Sequence, residues 1–314
     1  MQHTWTYDAP TGVYKNHDMS MQLREAAIAE TKFMQFVTPE PGYGKKKGES
    51  VTITRVSNMD VPANGRISET ERIPEDNITL STVAITVSEW GRSVPYTSLA
   101  EDLSSFNIQN IIQRKLKDQM RLTLDAAAAT AFKTGLIKAV ATGVGSIAFS
   151  TNGVPAGVAA ANLSVSHVEA IRDYMHSNLT VPAYSGDDYI ALCSTKAKRG
   201  IMNDPAFEVW NKYTDPQKKY NSEIGKIENC RFIEDNNLNS LSGSIGAGGV
   251  AGECLFFGSD AVAMALVQDP ELRAKVPEDY GRSNGVAWYG ILDFGIVWDT
   301  ANQGEARIVH FTSL

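Results

Sequence analysis

The chain has 314 residues, of which 43% are apolar and 21% charged, and its formal net charge is −7. That composition excludes a wholly disordered chain, and no run approaches the ~18 uninterrupted apolar residues of a membrane helix. The acid excess sits in residues 201–314, which argues against a sequence-specific DNA binder, because such a protein presents a basic face and an acidic one repels phosphate.

Residues 1–17 read as an irregular arm. A helix is predicted over 20–37, with Leu23, Ala27 and Met34 on one face and Thr38-Pro39 as its end. Pro39-Glu40-Pro41-Gly42-Tyr43-Gly44 then breaks the chain. A stable domain does not normally begin with one lone helix and a breaker, so this part is either a mobile tail or an arm that packs on a neighbouring subunit. Residues 49–56 and 77–90 alternate and are β-branched, so both read as strands. Between them, 57–76 is polar and holds Pro62, Gly65 and Pro74. An isolated two-stranded hairpin is marginal in water, so this one packs on its own protein or across another copy.

Ser98-Leu99-Ala100-Glu101 fits a capping box with Ser98 at the N-cap. A second helix is predicted from Asn107 to Thr134, with Gly135 just beyond it. Ile108, Ile112, Leu116, Met120, Leu124 and Ala128 form an i, i+4 ladder along it. Its length is about 42 Å at 1.5 Å per residue, enough to span a small domain. Residues 135–163 read as a Gly/Ala/Ser loop with one short strand at 146–149. Ser166-His167-Val168-Glu169 starts another helix, which runs to about Ser177. A buried strand is expected at 189–193, a helix at 195–202, and turns or helix starts at Asp204-Pro205 and Asp215-Pro216. Strands follow at 230–234 and 254–257, separated by a Gly/Ser loop at 239–252. Two long strands, 286–298 and 306–311, close the chain around a turn at 300–304.

The residues that carry chemistry elsewhere are not arranged for it here. The five histidines (His3, His17, His167, His176 and His310) make no His-Glu-x-x-His, and no Cys-x-x-Cys occurs. There is no phosphate-binding Gly-x-x-x-x-Gly-Lys-Ser/Thr and no Gly-x-Ser-x-Gly. Gly246 to Gly252 imitates a dinucleotide fingerprint, but the third glycine is one residue late and no apolar strand precedes it. Asp187-Asp188 reads as a solvated turn. Cys193, Cys230 and Cys254 are odd in number and far apart, which fits a reducing compartment, and Cys193 reads as an inert core thiol. No basic n-region or apolar h-region opens the sequence, so no secretory leader is expected. No catalytic, cofactor-binding or metal residue is therefore expected. Lys45, Lys46 and Lys47 form the densest positive cluster, either a solvated turn or a contact with an acidic surface of another subunit. Arg66, Glu69, Glu71 and Arg72 put mixed charge on the hairpin tip, which suits water or a complementary partner. A core, an arm, a long hairpin and a long helix without a reaction centre point to an assembly protein.

Three stretches carry a family resemblance. They are Gly44-Lys45-Lys46-Lys47-Gly48 leading into Val51-Thr52-Ile53, then 223–234 (Glu-Ile-Gly-Lys-Ile-Glu-Asn-Cys-Arg-Phe-Ile-Glu), then 279–289 (Asp-Tyr-Gly-Arg-Ser-Asn-Gly-Val-Ala-Trp-Tyr). With the element order, they make the chain resemble the major capsid protein of tailed double-stranded DNA phages, in the branch of the N-four-type podovirus coat. The resemblance implies an α+β Hong Kong 97-type fold. Its parts would be an N-terminal arm (1–43), an extended-loop β-hairpin (44–96), a peripheral domain with the spine helix (97–160), an axial domain (161–265) and closing peripheral strands (266–314). It implies hexamers and pentamers of this chain in an icosahedral shell, located in the virion and assembled in the host cytoplasm. It also implies scaffolding, portal and decoration partners, DNA enclosed without sequence-specific binding, no membrane, no cofactor and no catalysis. The alternative is an encapsulin-like compartment with the same fold and an enzyme cargo.

Overall fold

The computed structural model describes residues 26–40, 43–59, 61–62, 65–67, 69–70, 72–214, 224–242 and 251–314. Residues 26–32 have no regular structure, and Phe33–Phe36 form a single 3-10 turn before β1 (Thr38–Pro39). The predicted helix over 20–37 is therefore absent from its described part, while 20–25 lie outside the described residues. Tertiary contacts override a weak helical pattern here. Phe33 is fully buried with its ring 5.6 Å from Phe132, and its N–H and that of Met34 donate to the Asp125 carboxylate instead of to a helical ladder.

β2 (Ser50–Val56) and β3 (Leu80–Thr86) pair antiparallel, from Ser50 opposite Thr86 to Val56 opposite Leu80. The strand expected over 77–90 is interrupted at Val87, whose N–H donates to Glu49 O and closes the hairpin. The chain then enters β4 (Ser88–Thr97), which belongs to another sheet. The short helix α1 (Ser98–Leu103) is capped by Thr97 Oγ1, one residue before the expected cap. The long helix α2 (Ile108–Lys133) matches its sequence pattern, with Asn107 Oδ1 accepting from Asn110 N. Leu116, Leu124, Ala128 and Phe132 are buried along one face.

The start of the predicted loop after α2 is instead a buried strand, β5 (Ile137–Gly143), and the short strand expected at 146–149 follows it as β6 (Ser146–Ser150). Small residues hide β5 from a propensity reading, yet Ala139, Val140 and Ala141 are fully buried against its neighbours. Helix α3 (Val165–Asp173) is boxed by Ser164 and His167 rather than by Ser166 and Glu169. The chain continues through β7 (Tyr189–Ser194), α4 (Thr195–Met202), α5 (Pro205–Thr214), β8 (Lys226–Ile227), β9 (Cys230–Asp235) and β10 (Gly252–Phe257). The Asp215-Pro216 signal lies outside the described residues, as do 243–250 of the Gly/Ser loop. β11 (Val262–Ala274), which sequence reasoning missed, runs through Asp269-Pro270. Its register against β12 (Ser283–Ile296) shifts between Leu266 and Glu271, and such a bulge accommodates the proline. β13 (Ile308–Ser313) ends the chain.

Three sheets result. The first has four strands in the order β1-β11-β12-β4, the second seven in the order β6-β5-β13-β10-β7-β9-β8, and the third is the β2–β3 hairpin. One core lies under the seven-stranded sheet against α3 and α4, centred on Phe256, Phe311, Ile171 and Ile201. A second lies between that sheet, α2 and the arm, where Phe132, Phe257 and Phe33 meet. A smaller one puts Leu116 of α2 against Val286 and Trp288 of β12.

Candidate functional site

Among the described residues, the hairpin packs on the body at its root. Ile85, Val51 and Ile53 on its inner face pack with Ala263, Ala265 and Val297. Arg55, on β2, is 6% exposed; its Nη1 donates to Val297 O at 3.1 Å and pairs with the Asp299 carboxylate. Beyond the root the chain stands clear of the body, since every described residue from Asn58 to Leu80 is exposed. That stretch is not simply polar. Val61 is 93% and Ile73 70% exposed, and Met59, Ile67 and Ile78 are bare as well. Large apolar side chains clustered in water mark interaction surfaces. Sequence reasoning placed Ile78 in the strand expected over 77–90, weighed the prolines, glycines and charges of the tip, and missed Met59, Val61, Ile67 and Ile73. The available signal was four large apolar residues, Met59, Val61, Ile67 and Ile73, in a stretch with no period, where no core can take them.

Of the predicted contact residues, Lys45, Lys46 and Lys47 are exposed in the turn before β2. Lys46 (φ 67°) and Gly48 (φ 99°) are left-handed, and Tyr43 Oη donates to Gly48 O at 2.9 Å, so the turn is shaped rather than loose. Arg66 and Glu69 are exposed on the tip, Arg72 pairs there with Glu75, and Glu71 lies outside the described residues. Strand β2, about 20 Å long at 3.3 Å per residue, separates the lysine turn from the tip. The two groups are thus distinct surfaces at opposite ends of one ribbon.

The arm meets the body at a buried polar network. Asp125, fully buried in the middle of α2, accepts from Phe33 N at 2.8 Å, from Met34 N at 3.3 Å and, through Oδ2, from Ser240 Oγ at 3.1 Å. Asp235 Oδ1 accepts from Asn237 N at 3.0 Å, while Oδ2 has no partner. Burial pushes both carboxyls up, Asp235 to about 6. Glu30 N donates to Asn236 Oδ1, and β1 then adds to the edge of β11. Residues 30–39 are in this way stitched across α2, the 235–240 turn and the four-stranded sheet.

Asp188, His167 and the three cysteines serve the fold. Asp188 is buried, not a solvated turn residue: Lys226 and Arg231 both bond its carboxylate and hold its pKa down. His167 accepts from Ser164 N and donates from Nε2 to Gly143 O. Burial raises all three thiols, Cys193 and Cys230 to about 12. Among the described residues no group of three or more His, Cys, Asp or Glu is placed to hold a metal ion, and no helix is long and apolar enough to cross a membrane.

Comparison with known proteins gives a consistent picture. The family model described as phage capsid protein matches residues 80–304. A search of curated protein sequences gives no match. Among solved structures, the chain is similar to the capsid of Cyanophage Pam1, with a TM-score of 0.75 at 12% identity over 97% of this chain and 98% of that one. It is similar to the head of Helicobacter pylori bacteriophage KHP40, with a TM-score of 0.73 at 12% identity over 96% of each chain. A structure from Mycobacterium phage Che8 gives 0.67 at 15% identity over 95% and 97%. At such identities the likeness speaks for the fold, a mixed helix-and-sheet architecture of the Hong Kong 97 kind.

Proposed function

Because the chain belongs to the phage capsid protein family, a structural and non-enzymatic one, we propose that it is the major capsid protein of a tailed phage, self-assembling into hexamers and pentamers of an icosahedral head around double-stranded DNA. The observation that carries this reading is the hairpin: anchored at its root, bare and apolar toward its tip, and too thin to stabilise itself. Laid on a neighbouring copy, the tip buries what it now exposes. Lattice assembly of this kind uses heterologous contacts that close by symmetry.

In this reading 1–43 is the arm, 44–96 the extended loop and 161–265 the axial domain, with 97–160 and 266–314 as the peripheral segments. The lysine turn and the mixed charges of the tip set register against acidic and mixed surfaces of other copies. The acid excess lets the shell contain DNA without gripping it. The virion is its location, after assembly in the host cytoplasm beside scaffolding, portal and decoration proteins, and its resemblance is to the N-four-type podovirus coat branch.

Negative-stain electron microscopy with light scattering, on the chain expressed alone and together with a scaffolding protein, tests the proposal. Closed shells or capsomer rings are the expected result. A species that stays a 34.2 kDa monomer under both conditions refutes it, and shells filled with an enzyme cargo would instead identify an encapsulin-like compartment.

A further inference from the structure

The loop 297–307 joins β12 of the four-stranded sheet to β13 of the seven-stranded sheet. The same loop receives the root of the hairpin. Arg55 donates to Val297 O at 3.1 Å and pairs with Asp299, and its guanidinium carbon lies 5.5 Å from the centre of the Trp298 ring. Arg307 approaches the same ring to 5.4 Å. Both arginines keep a buried Nε without a hydrogen-bond partner. Asp299 pairs with Arg55 and the Asp260 charge favours that of Arg307, and the shared indole adds an attraction for both cations that is worth more desolvated than exposed. Glu305, 4% exposed, accepts from Thr300 Oγ1 at 2.6 Å and Asn302 Nδ2 at 3.1 Å. The Ser57 hydroxyl bonds the same carboxylate, and the Arg55 charge also helps to hold it ionised. Gly304 (φ 78°) sits so close to Asn58 that a Cβ there would fall 2.4 Å from Asn58 Nδ2.

Three residues of the root, Arg55, Ser57 and Asn58, thus all meet one connector. We propose that Arg55 is a positioning residue. Clamped on Trp298 and Asp299, it sets the angle at which the hairpin leaves the body and ties that angle to the path of the chain between the two sheets. Only a planar, permanently charged group can donate to a carbonyl, pair with a carboxylate and lie on an indole at once. The apolar contacts at the root, built from Ile85, Val51 and Ile53, give grip, but a two-stranded ribbon on a small apolar patch can pivot. The clamp removes that freedom. Its consequence for shell formation rests on the capsid reading above; the positioning itself does not.

The experiment measures the angle directly. Nitroxide labels are placed by I67C/E169C on the hairpin tip and on α3, since the three native thiols are buried and stay unlabelled. The labelled chain is diluted into unlabelled chain, so that pulsed electron spin resonance reads only distances within one subunit. The parent should give one narrow distance population. Arg55→Ala should broaden or shift it, and speed proteolysis within 56–79 by about tenfold or more, the equivalent of one lost charged hydrogen bond. Arg55→Lys, which keeps a charge for Asp299 but loses the planar group that also reaches Val297 O and the Trp298 ring, should fall between. Circular dichroism separates this effect from unfolding. Should Arg55→Ala fail to fold, Asp299→Ala decides, because Asp299 is half exposed and its loss leaves the core intact. A distance distribution and cleavage rate equal to the parent's in a folded variant would overturn the proposal. A displaced hairpin with normal shell formation would leave the clamp standing and remove the hairpin from the assembly reading instead.

Discussion

Replacing Asp235 by Asn removes a buried charge that the fold supports poorly, and the effect on stability should change with pH. Asp235 closes β9, is 2% exposed, and has a partner for only one of its oxygens. Burial, offset in part by the Asn237 N–H and reinforced by the Asp125 charge, raises its pKa from 3.8 to about 6. At 1.36 kcal/mol per pH unit that gap corresponds to about 3 kcal/mol. The unfolded chain releases this proton near pH 4 and the folded chain near pH 6. In between the native state holds the extra proton, so stability falls as pH rises through that window and stays lowered above it. Asparagine keeps the Oδ1 acceptor for Asn237 but puts an amide N–H where Oδ2 had no partner, at a cost of about 1–2 kcal/mol. The net expectation is a variant about 1–2 kcal/mol more stable than the parent at pH 8, or about 2–8 °C in Tm. At pH 4 the advantage disappears. Urea and thermal unfolding of unassembled subunits at both pH values measure it. A variant less stable than the parent at pH 8, or equally shifted at both pH values, refutes the reasoning.

Asp125→Ala should act in the opposite direction, because it strands the N–H of Phe33 and the hydroxyl of Ser240 in the core; we expect a loss of about 2–4 kcal/mol and faster hydrogen exchange at Phe33 and Met34, and unchanged exchange there would show that the arm is held by its phenylalanines alone. Deleting residues 59–73 should leave circular dichroism and Tm nearly unchanged, since the described part of that stretch is exposed, yet abolish shells by electron microscopy; an unfolded deletion would mean that the tip supports the core. Cys193, Cys230 and Cys254 should stay unreactive to a thiol reagent at pH 8 until the chain unfolds, because burial keeps all three protonated, and stoichiometric fast labelling of any one would contradict the structure.

Asp125 under the arm and the Arg55 clamp share a design feature. Each puts a charged side chain inside the protein to hold a segment that leaves it. Apolar contacts alone allow such a segment to slide, whereas a carboxylate accepting two specific N–H groups, or a guanidinium on one carbonyl and one carboxylate, has one position. Both are sited where the arm and the hairpin depart, the two parts that reach other copies in the proposed shell.

Sequence by itself determined the elements whose signal is local. Helix α2 was legible to within a residue because its i, i+4 ladder, its Asn107 cap and Gly135 agree. The strands β2, β7, β9 and β10 and the helix α4 were legible because alternation or a short apolar run between breakers needs no partner to be seen. The family could be read from two long stretches of low degeneracy, 223–234 and 279–289. Only the tertiary structure decided the rest. β5 is a strand because β13 lies beside it in parallel, not because its alanines prefer strand. The 30–39 segment is not a helix because Asp125, some ninety residues away, takes its N–H groups. β12 and β13 follow one another in sequence yet enter different sheets, since a strand's neighbours are chosen by burial of whole faces. Asp188, Arg55 and Glu305 look like surface charges in sequence and are buried by partners from distant segments. Local patterns encode what a residue can be; which backbone groups, charges and apolar faces meet is settled only when the whole chain is packed, because each contact derives its strength from the water that all the others exclude.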